Sequence, residues 1–336
     1  MPHPPSLNDT RDAHEQPAAA SVGLPTVNLE ERPSDPDRKA ALAKALDEAL
    51  QGVGFCYVSG TGVPRESVAE IFMASKAFHR LPRDAKDALA INEFHRGYIA
   101  PASSVIRSSS VAKVSRPNLS DSFMWMHEVA KNDPDYGRPL NGPNQWPPVE
   151  GFRTSVERFT AEMDGLARYL VQLIAIALGV SPGVLASYFE RPTVWLRLLH
   201  YPPLPGDADD MQWSAAPHTD YGFITLLAQD VLPGLEVRDA AGQWRPAPPQ
   251  PDTFVLNVAD MLERMSDGRW PSSAHRVRNT GDSARFSIPY FFDPHIDCRI
   301  ERLPGVAART GRGAVIFGDY VLERLNRNYA YRQSDL

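Results

Sequence analysis

The C-terminal half of the chain consists of short apolar runs separated by turn residues, and this pattern restricts the fold more than any other. The runs cover 194–201, 223–229, 234–238, 253–258, 275–278, 285–292 and 314–318, with Pro, Gly or Asp between them. Evenly spaced short strands of this kind are typical of a β-sandwich or barrel. Proline supplies 31 of the 336 residues, roughly 9% against an average of about 5%, which disfavours an all-helical bundle.

Helical periodicity dominates the other half of the chain. Apolar residues recur at helical spacing over 37–50, 66–81 and 149–178, and a shorter pattern predicts a last helix over 319–328. A buried strand is predicted at 54–58, whereas most of 95–150 has the composition of loops. We therefore expect an α+β, mainly β fold, in which a helical N-terminal half packs around a double-sheet β core.

These patterns divide the chain into three regions. Residues 1–22 have no periodicity, which predicts a mobile N-terminal tail. Residues 23–180 form the predicted N-terminal helical region with its strand, and residues 181–336 form the predicted β core with the C-terminal helix. We expect 23–336 to form one compact unit.

Charge and composition exclude several classes of protein. Lys and Arg number 35 against 41 Asp and Glu, a net charge of −6, and the chain has no long basic block to bind nucleic acid. The longest apolar run, 170–178, is too short to cross a bilayer, and no secretory signal is visible. Cys56 and Cys298 lie far apart, which favours a reducing compartment over a disulfide framework. We expect a cytoplasmic protein without nucleic-acid or membrane partners, and its oligomeric state stays open.

A candidate metal site begins with two side chains in the segment PHTDYG. His218 and Asp220 are two residues apart, so on an extended segment both point to the same face. His275 follows 55 positions after Asp220, and we expect it on another strand of the same core. Two imidazoles and one carboxylate on one side of a metal form the facial triad of non-haem Fe(II) oxygenases. The pair alone is weak evidence, because a chain with nine histidines can contain it by chance.

A second pair of polar residues lies ten residues beyond the last of these. Arg285 and Ser287 alternate with apolar residues on a predicted strand and therefore share a face. A guanidinium buried on that face needs an anion, and its planar fork beside a hydroxyl suits a carboxylate. An internal Asp or Glu would satisfy the same requirement, so the residues alone leave both partners open.

These residues belong to a longer ordered series of short motifs. In the C-terminal half the series is Leu196-Arg197, Tyr201-Pro202-Pro203, His218-Thr219-Asp220, Gly234-Leu235-Glu236-Val237, Asn257-Val258-Ala259-Asp260-Met261, His275-Arg276-Val277, Arg285-Phe286-Ser287 and Phe291-Phe292-Asp293-Pro294. In the N-terminal half it is Leu24-Pro25-Thr26-Val27, Gly54-Phe55-Cys56-Tyr57-Val58, Arg96-Gly97-Tyr98 and Asn144-Gln145-Trp146-Pro147. Over about residues 24–325 the chain resembles the isopenicillin N synthase-like branch of the Fe(II)/2-oxoglutarate-dependent dioxygenases.

The resemblance implies both a fold and a set of site residues. The fold is a double-stranded β-helix, or jelly roll, with the long helix at 149–178 bracing its outer face. The implied Fe(II) ligands are His218, Asp220 and His275. The residues implied to bind the distal carboxylate of 2-oxoglutarate are Arg285, Ser287 and Tyr201. This chain departs from many members of the family by carrying Leu199-His200 in place of Asn-Tyr, and Ala259 in place of Gly.

The implied function is oxidation of a small-molecule metabolite with Fe(II), 2-oxoglutarate and O₂, releasing succinate and CO₂. Hydroxylation, desaturation and cyclisation are all compatible with the motifs, and the prime substrate is not readable from them. Alternatives are a keto-acid-independent Fe(II)/O₂ oxidase of the isopenicillin N synthase type, an ethylene-forming enzyme, and a cupin-like storage or sensing protein without turnover. Residues that could line the substrate pocket, or simply pack in the core, are Tyr221, Phe223, Trp213, Met124 and Phe291.

Overall fold

The structure, a computed structural model, describes residues 23–109, 111–206, 208 and 212–332, so the predicted tail at 1–22 lies outside it. The helices are α1 (Pro36–Leu50), α2 (Arg65–His79), α3 (Arg83–Asp87), α4 (Phe152–Leu178), α5 (Pro182–Ala186), α6 (Asp260–Met265) and α7 (Phe317–Asn328). The N-terminal strands are β1 (Thr26–Asn28), β2 (Phe55–Ser59), β3 (Gly97–Ile99) and β4 (Asp121–Met126). The later strands are β5 (Thr193–Tyr201), β6 (Ala215–His218), β7 (Ile224–Gln229), β8 (Leu235–Arg238), β9 (Trp244–Pro246), β10 (Phe254–Val258), β11 (His275–Val277), β12 (Arg285–Asp293), β13 (Arg299–Ile300) and β14 (Val315–Ile316).

The strands form a large sheet and a smaller one. The large sheet has the order β1-β2-β10-β7-β12-β5-β4-β3, and the smaller sheet has the order β6-β11-β8-β9. Apolar side chains from both sheets meet in one cluster, in which Tyr57 and Val255 of the large sheet join Val237 and Val277 of the smaller one. The two sheets therefore face each other across a shared core, which is the jelly-roll arrangement expected from the sequence.

The side chains of β10 alternate between two apolar clusters, one on each face of the large sheet. Phe254, Leu256 and Val258 point away from the smaller sheet and join the core that the helices cover. Val255 points between the sheets, and Asn257, two residues later, shares that inner face. The large sheet is therefore buried on both faces, and its inner face can present a polar side chain to the space between the sheets.

Helix α4 covers the outer face of the large sheet. Its buried side recurs at helical spacing from Phe152 to Leu178, and the helix contacts α1, α2 and β12. It ends where Gly179 adopts a left-handed backbone with φ of 69° and donates its N–H to the carbonyl of Ala175. The predicted helix over 149–178 is confirmed, as is its place against the sheet. None of the helices in the described part of the chain is long and apolar enough to cross a membrane.

Two regions differ from the prediction. The stretch 95–150, expected to be mostly loop, contains β3 and β4, and β4 is buried at all six positions between β3 and β5. A strand buried on both faces lacks the apolar–polar alternation that reveals a half-buried strand. The strand predicted over 314–318 is short, because the chain turns into α7 at Phe317.

The end of α2 holds a histidine in an apolar contact. The ring of His79 lies 5.9 Å from the ring of Phe286 and 5.1 Å from that of His200. Its Nδ1 lies 2.8 Å from the carbonyl of Ser75, and its Nε2 is shielded from solvent. Burial lowers the pKa of His79 to about 4, so this imidazole stays neutral in the folded protein and its Nδ1–H donates to Ser75.

We expect the free energy of unfolding to decrease as the pH falls from about 6.5 to about 4, because the unfolded chain then binds a proton at His79 that the folded chain excludes. His79→Leu should reduce the loss of stability between about pH 7 and pH 5, measured by urea denaturation at each pH. Met73→Leu, an exposed change on the same helix, should keep the pH dependence of the parent. An unchanged pH dependence in His79→Leu would contradict the assignment.

Candidate metal centre and adjoining cavity

Three potential metal ligands converge between the two sheets. His218 is the last residue of β6, and its register partner on β11 is His275. Asp220 follows two residues after His218, and its Oδ1 lies 3.8 Å from Nε2 of His218 and 3.6 Å from Nε2 of His275. The two imidazole centroids are 4.3 Å apart. One ligand atom from each side chain lies within 4.8 Å of the others, so the three can reach one ion.

Hydrogen bonds orient these side chains. Nδ1 of His218 donates to the carbonyl of Ala216 over 2.7 Å, which leaves Nε2 as the nitrogen with a lone pair toward the centre. Oδ2 of Asp220 accepts hydrogen bonds from Oγ1 of Thr225 at 2.6 Å and Nδ2 of Asn257 at 2.8 Å. Its other oxygen, Oδ1, faces the imidazoles. Such outer partners fix ligand orientation in metal sites.

The protonation states also suit a cation. Burial, together with the neighbouring imidazole of His275, lowers the pKa of His218. Burial alone would raise the pKa of Asp220, but the two imidazoles and the bonds from Thr225 and Asn257 bring it below its usual value. A neutral imidazole and an ionised carboxylate are the forms that bind metal, so the residues present fit a divalent ion.

Arg285 lies on the inner face of β12 with its guanidinium fully buried. Its Nη2 donates to Oε1 of Gln229 at 2.8 Å, and its Nε donates to the carbonyl of Leu232 at 3.2 Å. Nη1 has no partner, and Arg285 makes no ion pair with any carboxylate of the described residues. The internal acid that the sequence left open is therefore not found in this part of the chain, and one buried N–H₂ group still needs an acceptor.

Two hydroxyls complete this polar end of the core. Oη of Tyr201 lies 3.1 Å from Oγ of Ser287, and the guanidinium of Arg285 lies 5.0 Å from the Tyr201 ring centroid. Register pairing of β12 with β5 places Arg285 opposite Tyr201, which is why the three side chains meet. Gly234 adopts φ of 149°, and a Cβ there would lie 2.9 Å from the backbone carbonyl of Arg278 and 3.2 Å from Cδ of Arg285, so both the backbone conformation and the close packing favour glycine.

A cavity opens beside the metal ligands. It is lined by His218 and Asp220, and by three of the five residues suggested for a substrate pocket, Met124, Tyr221 and Phe291. The role of these three in substrate binding stays a prediction.

The other two suggested pocket residues do not line this cavity. Phe223 is fully buried and packs edge-on against Phe189, with ring centroids 4.7 Å apart, because bends at 221–223 turn its side chain away from that of Tyr221. The guanidinium of Arg276 lies 4.8 Å from the ring centroid of Trp213. Trp213 belongs to a small apolar cluster apart from the two larger ones. Neither side chain lines this cavity and both contribute to packing, so their role in substrate binding stays a prediction.

The structure brings further residues to the site that sequence reasoning missed. Thr225 and Asn257 bond the metal-facing carboxylate, and Gln229 bonds Arg285. Asp293 is buried at the cavity wall, where it accepts hydrogen bonds from the backbone N–H of Phe223 at 2.7 Å and from Nε1 of Trp195 at 2.8 Å. Burial raises the pKa of Asp293 to about 7. The sequence did contain a signal for these site residues. They are polar residues at strand positions that face the core, where apolar residues are otherwise expected.

Comparison with known proteins agrees with this geometry. Residues 24–149 match the family described as non-haem dioxygenase in morphine synthesis N-terminal, and residues 192–294 match the 2OG-Fe(II) oxygenase superfamily. The chain is 33% identical to the 2-oxoglutarate-dependent dioxygenase citB of Monascus ruber, over 92% of this chain and 97% of that protein. It is 34% identical to the 2-oxoglutarate-Fe(II) type oxidoreductase hxnY of Emericella nidulans, over 81% and 79% respectively.

A solved structure shows the same fold with its co-substrate. A full-length protein of Neurospora crassa, crystallised in complex with alpha-KG, superimposes with a TM-score of 0.80 at 28% identity, covering 92% of this chain and 97% of that one.

The turn after Asp220 leaves no room for a side chain at position 222. A Cβ on Gly222 would lie 1.6 Å from Oδ1 of Asp293, so Gly222→Ala must displace that buried carboxylate and its two hydrogen bonds. We expect a loss of about 1–3 kcal/mol in the free energy of unfolding, measured by chemical denaturation. Gly183→Ala has its nearest contact at 3.9 Å and should cost less than about 0.5 kcal/mol. Equal stability of the two variants would contradict the steric argument.

Proposed function

The chain belongs to the 2OG-Fe(II) oxygenase superfamily, and on that basis we propose that His218, Asp220 and His275 bind the Fe(II) of this enzyme. The protein is a 2-oxoglutarate-dependent dioxygenase that takes Fe(II) as its metal and 2-oxoglutarate and O₂ as co-substrates. Its reaction oxidises a small molecule with release of succinate and CO₂.

The geometry of the donors supports the ligand assignment. Nε2 of both imidazoles lies within 4 Å of Oδ1 of Asp220. The other ring nitrogen of His218 and the other carboxylate oxygen of Asp220 are held by hydrogen bonds. One ligand atom of each side chain lies within 4.8 Å of the others, and His218 and Asp220 also line the cavity. Bound Fe(II) supplies the redox chemistry that activates O₂, and this chain supplies placement and electrostatics.

We propose further that Arg285, Ser287 and Tyr201 bind the distal carboxylate of 2-oxoglutarate. The observation that carries this assignment is Nη1 of Arg285, a buried cationic N–H₂ group without an acceptor in the described residues. A carboxylate reaching this end of the core would accept from Nη1 and from the hydroxyls of Ser287 and Tyr201, which already lie 3.1 Å apart. Gln229 and Leu232 hold the rest of the guanidinium in place.

The finer features of the function stay proposals. The prime substrate is a small molecule that enters the cavity beside the metal ligands, and its product is hydroxylated, desaturated or cyclised. A cytoplasmic enzyme is proposed from the composition, with both cysteines free; the oligomeric state stays open. The keto-acid-independent oxidase is the second candidate, because it would use the same triad and could direct Arg285 to a different carboxylate.

Removal of Asp220 tests the metal site. Asp220→Ala deletes the only anionic ligand and should weaken Fe(II) binding by more than about a hundredfold, measured by anaerobic calorimetric titration. Asp282→Ala, an exposed change, should bind Fe(II) as the parent does. Circular dichroism establishes that both variants are folded. If folded Asp220→Ala binds Fe(II) as tightly as the parent, the triad is misassigned.

Variants of the carboxylate site test the use of 2-oxoglutarate. Ser287→Ala deletes one charge-assisted hydrogen bond and should weaken 2-oxoglutarate binding about 10- to 150-fold. Arg285→Ala should weaken it more, and Arg285→Lys should recover only part, because an ammonium lacks the bidentate fork. Fe(II) affinity should be retained in all three, and exposed Arg299→Ala serves as the matched control. Parent-like 2-oxoglutarate affinity in Arg285→Ala would favour the keto-acid-independent oxidase.

A further inference from the structure

One face of β5 connects the carboxylate site with the cavity. Trp195, Arg197, Leu199 and Tyr201 alternate along the strand and therefore share its inner face. Tyr201 meets Ser287 at the proposed 2-oxoglutarate end, whereas Trp195 and Arg197 line the cavity. A cationic side chain thus stands in the wall of the space proposed for the prime substrate.

The charge of Arg197 has no counter-ion in the described residues. Its Nε donates to Oγ of Ser122 at 2.8 Å, which orients the guanidinium, but no carboxylate of the described residues lies within ion-pair distance. Apolar side chains form part of its surroundings, with Met124 opposite on β4 and Phe291 in the same wall, while His218 and Asp220 line another part of the cavity. A half-buried guanidinium in such a wall lacks the anion that would normally accompany it.

Neither acid of the cavity supplies that anion. Oδ2 of Asp220 is held by Thr225 and Asn257, and its Oδ1 faces the imidazoles. Both oxygens of Asp293 accept hydrogen bonds within its own wall, from Phe223 and Trp195. Within the described residues, therefore, the free end of the Arg197 guanidinium has no anionic partner, and a bound anion would supply one.

His95 also lines the cavity. Its ring is fully buried and packs edge-on against the rings of Trp195 and Tyr329, so it contributes shape to the cavity wall.

We infer that the prime substrate is a carboxylic acid with an apolar body, whose carboxylate binds Arg197. The apolar body suits the lining formed by Met124, Trp195, Tyr221, Phe291 and Leu325. The inference rests on the proposed function, because it assumes that 2-oxoglutarate occupies the Arg285 end.

The inner carboxylate of 2-oxoglutarate is the other possible source of the anion. Arg197 and Tyr201 are four residues apart, about 13 Å along the strand. The two carboxyl carbons of a five-carbon diacid lie at most about 6 Å apart. The backbone separation exceeds the length of the diacid, but both side chains extend from the strand, so the 2-oxoglutarate affinity of Arg197 variants is the measurement that separates the two sources.

The test uses protein loaded with Mn(II) and 2-oxoglutarate under nitrogen, so that binding is measured without turnover. The probes are phenylacetate, cinnamate and cyclohexanecarboxylate, each paired with its primary amide and titrated by calorimetry. We expect at least one acid to bind about tenfold or more tightly than its amide. Arg197→Leu should abolish this preference, and Arg197→Lys should retain part of it. Arg153→Leu, on the exposed side of α4, is the matched control and should retain all of it.

The affinity for 2-oxoglutarate, measured on the same variants, separates the two sources. Under the inference it changes by less than about twofold in Arg197→Leu. A large loss of 2-oxoglutarate affinity in that variant would assign Arg197 to the inner carboxylate and overturn the inference. The absence of any acid-over-amide preference in the parent would also overturn it, with the proposed function intact. Failure of the parent to bind 2-oxoglutarate would overturn the proposed function as well.

Discussion

The pairing of β6 with β11 is the constraint on which the site depends. Their antiparallel register sets His218 directly against His275, while the carboxylate between them is held by Thr225 and Asn257 from the opposite sheet. The ligand set is therefore complete only when two sheets keep a fixed separation. The apolar cluster between the sheets keeps that separation, and its member Phe55 packs edge-on against the ring of His275, so core packing controls the distances at the centre.

The charged side chains of the site have hydrogen-bond partners to different degrees. Asp220, in the turn after β6, is balanced by imidazoles and hydrogen bonds. Arg285 on β12 is partly satisfied by Gln229, and among the described residues half-buried Arg197 on β5 has a hydrogen-bond partner only at Nε. The donors without a partner in this part of the chain are the groups for which we propose anionic ligands, because an unpaired cation is costly to bury.

Local patterns predicted more of this structure than non-local ones did. The alternation around Arg285 and Ser287, and the helical spacing ending at Gly179, are visible within one segment, and both predictions of structure are confirmed. The contacts of Asn257 and Gln229 depend on which strands become neighbours, and no single segment contains that information. The packing of Phe223 against Phe189 depends in the same way on distant neighbours, since the chain bends at 221–223 before β7 begins.

The order of strands in the large sheet also governs how the chain can assemble. β2 lies beside β10 and β4 lies beside β5. During synthesis, β2 and β4 therefore emerge well before the strands with which they pair. Until then their edges stay open, and an open edge is a template for pairing with other chains. Pairings between such distant segments also make folding slow. The strand order that places the site between the sheets therefore leaves the partly synthesised chain prone to aggregation until its later strands are made.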